Sequence, residues 1–156
     1  MFRIKDKGNS DLGLAFHTMC LIYMKVRKKE DEVKKIGAHL FCFGGKTKAN
    51  ILSNKMKFTE INRMTHNFKW QIITPHGIPP SPRYAHIMHH FQKMKYIAIF
   101  GGKNKMNDVL NDLNIFQINA QTWTKVIDYG ETLPIPRCSH LSFMKGNKMF
   151  VLGGVN

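Results

Sequence analysis

The feature that most constrains this chain is an apolar hairpin pattern that occurs twice. The first copy, residues 82–102, reads PRYAHIMHHFQKMKYIAIFGG, and the second, residues 136–154, reads PRCSHLSFMKGNKMFVLGG. In each copy two apolar runs flank a short polar break, which predicts a β-hairpin with strands at residues 84–91 and 96–100 in the first copy. Each copy ends in a glycine pair, which suits a backbone that needs positive φ or close approach to a neighbouring strand.

The two copies keep the same register over a longer stretch. Equivalent residues lie 52 to 54 positions apart: Arg83 and Arg137, His86 and His140, Gly101 and Gly153, Trp70 and Trp123. A third, more degenerate copy reads FHTMCLIYM at residues 16–24 and HLFCFGG at residues 39–45, with His17 at the histidine position and no Pro-Arg before it. A period near fifty residues predicts an array of repeated units rather than one irregular domain.

These residues resemble the kelch motif. The glycine pairs follow apolar runs, an Asn-Asp-Leu segment follows at residues 111–113, and a tryptophan comes later in the repeat. The lead-in Pro-x-Pro-Arg-x-x-His is similar to a variant found in long intracellular kelch proteins. The resemblance implies an all-β, kelch-type β-propeller with blades of four antiparallel strands, and it makes these the structural repeat residues: Gly44, Gly45, Gly101, Gly102, Gly153, Gly154, Trp70, Trp123, Arg83, Arg137, His17, His86, His140 and Asp112.

The repeat also predicts where the units begin and end. Residues 1–15 form a loose lead-in, the first repeat spans about 16–73, the second about 84–127, and the third, incomplete, 137–156. The outer strands are expected at 56–61 and 69–73 in the first repeat and at 113–118 and 122–127 in the second. The Pro-rich segment 75–82 is expected to be a rigid turn between repeats, since proline withholds a ladder donor.

An incomplete propeller is therefore expected. Propellers have roughly 4 to 8 blades, so even the smallest needs about 200 residues, whereas the chain has 156. The sequence predicts two complete blades and part of a third, belonging to a longer protein, to an assembly of chains or to a truncated product. Open blade faces expose apolar surface and unpaired strand groups, which predicts self-association.

Composition narrows the choice of partner. The formal net charge is +14, but lysine is scattered over every loop, and the arginine stripes and stacking platforms of nucleic-acid modules are missing. No specific nucleic-acid partner is therefore expected.

The longest apolar run near the start, residues 19–24, is far shorter than the roughly 20 residues of a membrane span. Three cysteines in apolar runs indicate buried thiols in a reducing compartment, the cytoplasm or the nucleus.

The sequence contains few residues that are placed to bind a metal or a phosphate or to catalyse a reaction. His86 and His90 could share one face of a strand while His89 points away, but the recurrence of the His86 position in the other copies favours packing, and no metal site is predicted. Gly45, Lys46 and Thr47 resemble the end of a phosphate-binding loop that lacks its first glycine. No nucleophile and base arrangement stands out, so neither catalytic residues nor a cofactor is predicted.

Structural roles are expected for the repeated arginines and tryptophans. Arg83 should bond to carbonyls or to an acidic side chain such as Asp108 or Asp112, and the tryptophans should pack blade against blade. The glycine pairs are expected to be tight enough that Gly101→Val and Gly153→Val are both strongly destabilising.

The resemblance implies a function as well as a fold. It implies a non-enzymatic scaffold that binds another protein; the alternatives are an enzyme on a kelch-type propeller and the substrate-recognition part of a ubiquitin ligase. The charged insertion at residues 25–35 is either a tolerated loop or a carrier of partner contacts.

Overall fold

The computed structural model describes residues 15–26, 35–61, 68–91, 95–127, 130 and 134–156, and within these ranges the chain forms strands and no helix. No helix in these ranges is long and apolar enough to cross a membrane. The strands are β1 (Thr18–Val26), β2 (Lys35–Phe43), β3 (Met56–Glu60), β4 (Gln71–Ile72), β5 (Ile87–Phe91), β6 (Tyr96–Phe100), β7 (Leu113–Gln117), β8 (Thr122–Lys125), β9 (Leu141–Lys145) and β10 (Lys148–Leu152).

The strands form three antiparallel sheets that follow chain order. The first sheet has the order β1-β2-β3-β4, the second β5-β6-β7-β8, and the third contains β9 and β10. Each complete sheet is a meander, because every strand pairs with its sequence neighbour. The innermost strands of adjacent sheets, β1 with β5 and β5 with β9, contact one another. We call the three sheets the first, second and third blades.

The strand that opens each blade begins later than the apolar runs suggest. The predicted strands starting at residues 16 and 84 begin at Thr18 and Ile87 instead. The cause is a left-handed residue just before each repeated histidine: Phe16, Ala85 and Ser139 have φ values of 56, 55 and 53°. A non-glycine residue in this region is uncommon, and it interrupts the extended backbone.

Other predicted boundaries shift as well, and β3, β7 and β8 end at residues 60, 117 and 125 rather than at 61, 118 and 127. The strand expected at 69–73 is reduced to Gln71–Ile72, because β4 pairs only with Lys57 and Phe58, and Trp70 precedes it. The hairpin strands β1 and β2 run into the predicted charged insertion, to Val26 and from Lys35. The rest of that insertion, residues 27–34, and most of the polar turn at 92–95 lie outside the described residues.

The hydrophobic core lies between the first and second blades. Alternation places Cys20, Ile22 and Met24 of β1 on the face toward the second blade. The core consists of Ile22, Phe41, Phe43, Met56, Ile73, Met88, Ile97, Ile99, Phe116, Ile118 and Trp123. Phe43 of the first blade lies 5.3 Å from the ring of Trp123 of the second, in an edge-on arrangement. The blades are thus joined by apolar burial, the main favourable term in folding.

Candidate interaction surface

The junctions between blades are built from one repeated set of hydrogen bonds. The second glycine of each pair donates its N–H to the carbonyl of the arginine in the next blade, Gly45 to Arg83 at 2.8 Å and Gly102 to Arg137 at 2.9 Å. The residue before each histidine donates its N–H to its equivalent in the preceding blade, from Ala85 to Phe16 and from Ser139 to Ala85. The sequence repeat is therefore also a repeat of contacts.

The Arg83 side chain is buried within the second blade and holds parts of that blade together. It is 1% exposed and donates to the Gly101 carbonyl at 3.1 Å and to both carboxylate oxygens of Asp112, at 2.6 and 2.8 Å. Burial alone would raise the pKa of Asp112, but the Arg83 guanidinium outweighs burial and lowers it. Of the two acids considered from sequence, the structure selects Asp112. Asp108 instead accepts from Asn104 at 2.9 Å.

The repeated histidines fill the space beside the glycines. A Cβ built on Gly102 would lie 2.8 Å from the Cβ of His86, and one built on Gly44 of the preceding blade would lie 2.6 Å from the Cε1 of the same ring. His86 is therefore held between two glycines, and its Nε2 shares a 2.7 Å hydrogen bond with Thr18 Oγ1. Burial, then the charge of Arg83, lowers the pKa of His86 to about 3, which keeps the ring neutral.

The other histidines follow the repeat or bridge blades. A Cβ built on Gly154 would likewise lie 2.8 Å from the Cβ of His140, and burial lowers the pKa of His140 to about 4. His89 Nε2 lies 2.6 Å from Ser142 Oγ of the third blade. Within the described ranges no group of three His, Cys, Asp or Glu residues is placed to hold a metal ion.

The loops that follow the glycine pairs form a groove between the first and second blades. We call it the glycine-loop groove. It has a volume of ≈ 250 Å³ and is lined by Lys46, Asn50, Leu52, Tyr84, Asn104, Lys105 and Asn107. Left-handed residues shape both of its loops, with φ values of 59° at Asn50 and 66° at Asn107. The Tyr84 hydroxyl donates to Asn107 Oδ1 at 2.9 Å, which fixes the ring at the edge of the groove.

One lysine of this groove is held between two aromatic rings. The Lys46 ammonium lies 4.6 Å from the ring centroid of Tyr84 and 5.3 Å from that of Phe16. The two ring centroids are 6.1 Å apart. Cations over aromatic faces at such distances are attracted electrostatically. Phe16 is 60% exposed, so this cluster presents a positive charge framed by apolar surface.

The glycine loops carry a positive charge that sequence reasoning missed. The segments 44–48 and 101–105 read GGKTK and GGKNK, so both loops place lysine at the same two positions, and this recurrence was visible in the sequence. The Asp112 carboxylate is paired with Arg83, so Asp108 is the exposed carboxylate of the two loops. None of these four loop lysines forms an ion pair with another described residue, so they are open to an anionic group.

Four-stranded antiparallel blades, a glycine pair at each inner hairpin and an arginine and histidine that lock successive blades define a kelch-type propeller. The chain belongs to the family described as the KLHDC2/KLHL20/DRC7 Kelch-repeats domain, whose model matches residues 31–156. Both the resemblance and the fold class predicted from sequence are confirmed.

The chain is similar to several proteins that are much longer than it is. The chain is 36% identical over 94 residues to host cell factor of Drosophila melanogaster, covering 58% of the chain and 6% of that protein. It is 27% identical over 121 residues to dynein regulatory complex subunit 7 of Chlamydomonas reinhardtii, covering 77% and 10%. Among solved structures, YjhT has a TM-score of 0.56 at 17% identity, covering 94% of the chain and 35% of YjhT. The chain thus spans a small part of these relatives.

Proposed function

We propose that this chain is a non-enzymatic interaction module that binds another protein through its glycine-loop groove. The observation that carries the proposal is Lys46, held between Phe16 and Tyr84 at a groove that two blades build together. Membership of the kelch-repeat family supports an interaction role. The name of one relative, dynein regulatory complex subunit 7, places that protein in a multisubunit complex.

The chemistry of the groove favours an acidic segment of the partner. Carboxylates would pair with Lys46 and Lys105, and an apolar side chain beside them would pack on the exposed ring of Phe16. Charge complementarity of this kind sets specificity and association rate more than affinity, and screening by salt weakens it. We place the module in the cytoplasm or nucleus, where its three free thiols, Cys20, Cys42 and Cys138, are stable.

A two-part binding experiment tests the proposal. The chain and its Lys46→Glu and Lys105→Glu variants are used in quantitative pull-downs, and the same three proteins are titrated with a labelled Asp/Glu-rich peptide at rising salt. The matched control is Lys148→Glu, which reverses the charge of an exposed lysine at the start of β10 in the third blade. We expect one protein to be enriched at stoichiometric yield by the wild type and the control, and to be lost with both groove variants.

Other results would reject the groove or the whole function. Equal binding by groove variants and control would exclude the groove. A metal retained at one equivalent after dialysis, together with turnover of a small molecule, would show that the chain is an enzyme instead of an interaction module.

We further propose that the chain self-associates through its open blade faces.

A further inference from the structure

The third blade leaves an apolar face uncovered. Leu141 and Phe143 of β9 pair with Leu152 and Phe150 of β10, and these side chains are 76, 47, 57 and 40% exposed. The rings of Phe143 and Phe150 stack with centroids 5.0 Å apart. We call these four residues the third-blade face.

The equivalent face of the second blade shows what covers such a surface. Ile87 and Phe100 occupy the positions of Leu141 and Leu152, and they are only 7 and 2% exposed. There the next blade covers them: Phe100 packs edge-on against His140, with centroids 5.6 Å apart. The third-blade face thus continues an interface that the molecule has already formed twice, and its natural occupant is another blade.

The opposite side of the arc offers such a blade surface. Alternation in β1 turns Met19, Leu21 and Tyr23 away from the second blade, and they are 49, 45 and 58% exposed. We call these three residues the first-blade face. Met19 occupies the position of Ser142 in the repeat, and Ser142 is the residue that meets His89 across the junction of the second and third blades. His89 in turn corresponds to Phe143.

The first and third blades each have one backbone group that could continue the series of hydrogen bonds between blades. At both formed junctions the residue before the histidine donates its N–H to its equivalent in the preceding blade, Ala85 to Phe16 and Ser139 to Ala85. Within the described residues, the Phe16 N–H and the Ser139 carbonyl are the members of this series that have no backbone partner. One is a donor on the first blade and the other an acceptor on the third.

We infer that two copies of this chain associate head to tail, with the third-blade face of one copy against the first-blade face of the other. This rests on the proposed self-association and specifies its orientation: Phe143 meets Met19, and the Phe16 N–H bonds to the Ser139 carbonyl. A head-to-tail contact is heterologous, and it closes when the rotation permits. Two arcs, each of two four-stranded blades and one two-stranded blade, give six blade positions, within the roughly 4 to 8 blades that propellers use.

Charge substitutions test the orientation. Phe143→Lys and Met19→Asp each place a charge on one face, while Ile78→Lys changes an apolar residue that is 86% exposed and outside both faces. Sedimentation of the full 156-residue chain should give a mass of twice 18.0 kDa for the wild type and for Ile78→Lys. Each face variant alone should be monomeric, with an unchanged circular dichroism spectrum. An equimolar mixture of the two should recover the dimer, because one junction is then native and the other pairs Lys with Asp.

The alternatives give different patterns. A wild-type monomer, or aggregation that neither face variant changes, would overturn the inference. A dimer lost with Phe143→Lys but kept with Met19→Asp would mean that two third-blade faces pair with each other, so that self-association survives and the head-to-tail orientation fails. These results leave the groove proposal untouched, since its variants lie elsewhere.

Discussion

Arg83 and Asp112 form a bidentate pair at 2.6 and 2.8 Å across an interval of 29 residues, and the pair joins the lead-in of the second blade to the start of β7. The third blade contains the equivalent Arg137, which bonds to the Gly153 and Ile135 carbonyls. At the Asp112 position the first blade has Lys55, and the Arg83 position there is Leu14. Arginine and acid are thus both replaced in the same repeat.

Breaking the Arg83 and Asp112 pair is expected to lower the free energy of unfolding more than removing the equivalent arginine of the third blade. Asp112→Ala should destabilise by about 3–5 kcal/mol, because it leaves the Arg83 charge buried and unpaired. Adding Arg83→Met should recover part of that loss, since the stranded charge is then removed. Arg137→Met is the matched control and should cost less. Denaturant unfolding of the two singles, the double and the control measures this coupling, and simple additivity of the singles would contradict it.

The glycine pairs predict a difference that the sequence does not show. Gly101 and Gly153 have φ values of 67 and 64°, so their backbone preference for glycine is the same. A Cβ on Gly101 would lie 2.5 Å from the Arg137 carbonyl, whereas one on Gly153 meets nothing within 4 Å. The expectation of a tight site at both positions is therefore wrong for Gly153.

Gly153→Ala should accordingly cost only the left-handed strain of about 1 kcal/mol. Gly101→Ala should cost clearly more, because backbone must move to admit the methyl group. Thermal unfolding of the two variants at a concentration where the chain is monomeric makes the comparison. Equal shifts would show that the junction at Gly101 is looser than the structure has it.

Burial of His86 predicts that acid destabilises the fold. The pKa of His86 in the folded chain is about 3, below the value of 6.5 for a solvent-exposed histidine, so the unfolded chain binds more protons between these two values. The stability that His86 contributes is complete above about pH 6.5 and is lost as the pH falls toward 3. Asp112 acts in the same direction over a lower range, because its pKa is lowered from 3.8.

Unfolding midpoints measured from pH 8 to pH 4 test this dependence. The wild type should lose stability steadily below about pH 6.5. His86→Asn, which binds no proton in this range, should flatten the curve, and His140→Asn should flatten it less, because the pKa of His140 falls only to about 4. A wild-type curve that stays level down to pH 4 would show that neither ring is kept neutral by burial.

Replacing each of the two repeated tryptophans with alanine is expected to lower the stability of the fold by a different amount. Trp123 is 4% exposed and lies 4.9 Å from the ring of Phe116 and 5.3 Å from that of Phe43. Trp123→Ala should cost about 3–5 kcal/mol, as expected for a large buried aromatic residue. Trp70 is only partly buried, so Trp70→Ala should cost less than half as much. The reverse order in denaturant unfolding would place the main core on the other side of the first blade.

The sequence by itself determined the repeat, its register and the four-stranded plan of each complete blade. Glycine pairs, alternation and turn residues are local patterns, and their recurrence at one spacing shows that each unit folds in the same way. The strand β6, Tyr96–Phe100, was predicted with both of its ends, because apolar residues and a glycine pair mark it on the chain itself.

Only the tertiary structure decided which partners those residues meet. Asp112 rather than Asp108 bonds to Arg83, Lys46 lies between Phe16 and Tyr84, and Gly153 is open where Gly101 is tight. The contact of Arg83 with Asp112 depends on how the second blade folds back on itself, and the other two outcomes depend on how one blade packs against its neighbour. Both arrangements are set by packing between residues far apart in sequence, and no local pattern encodes them.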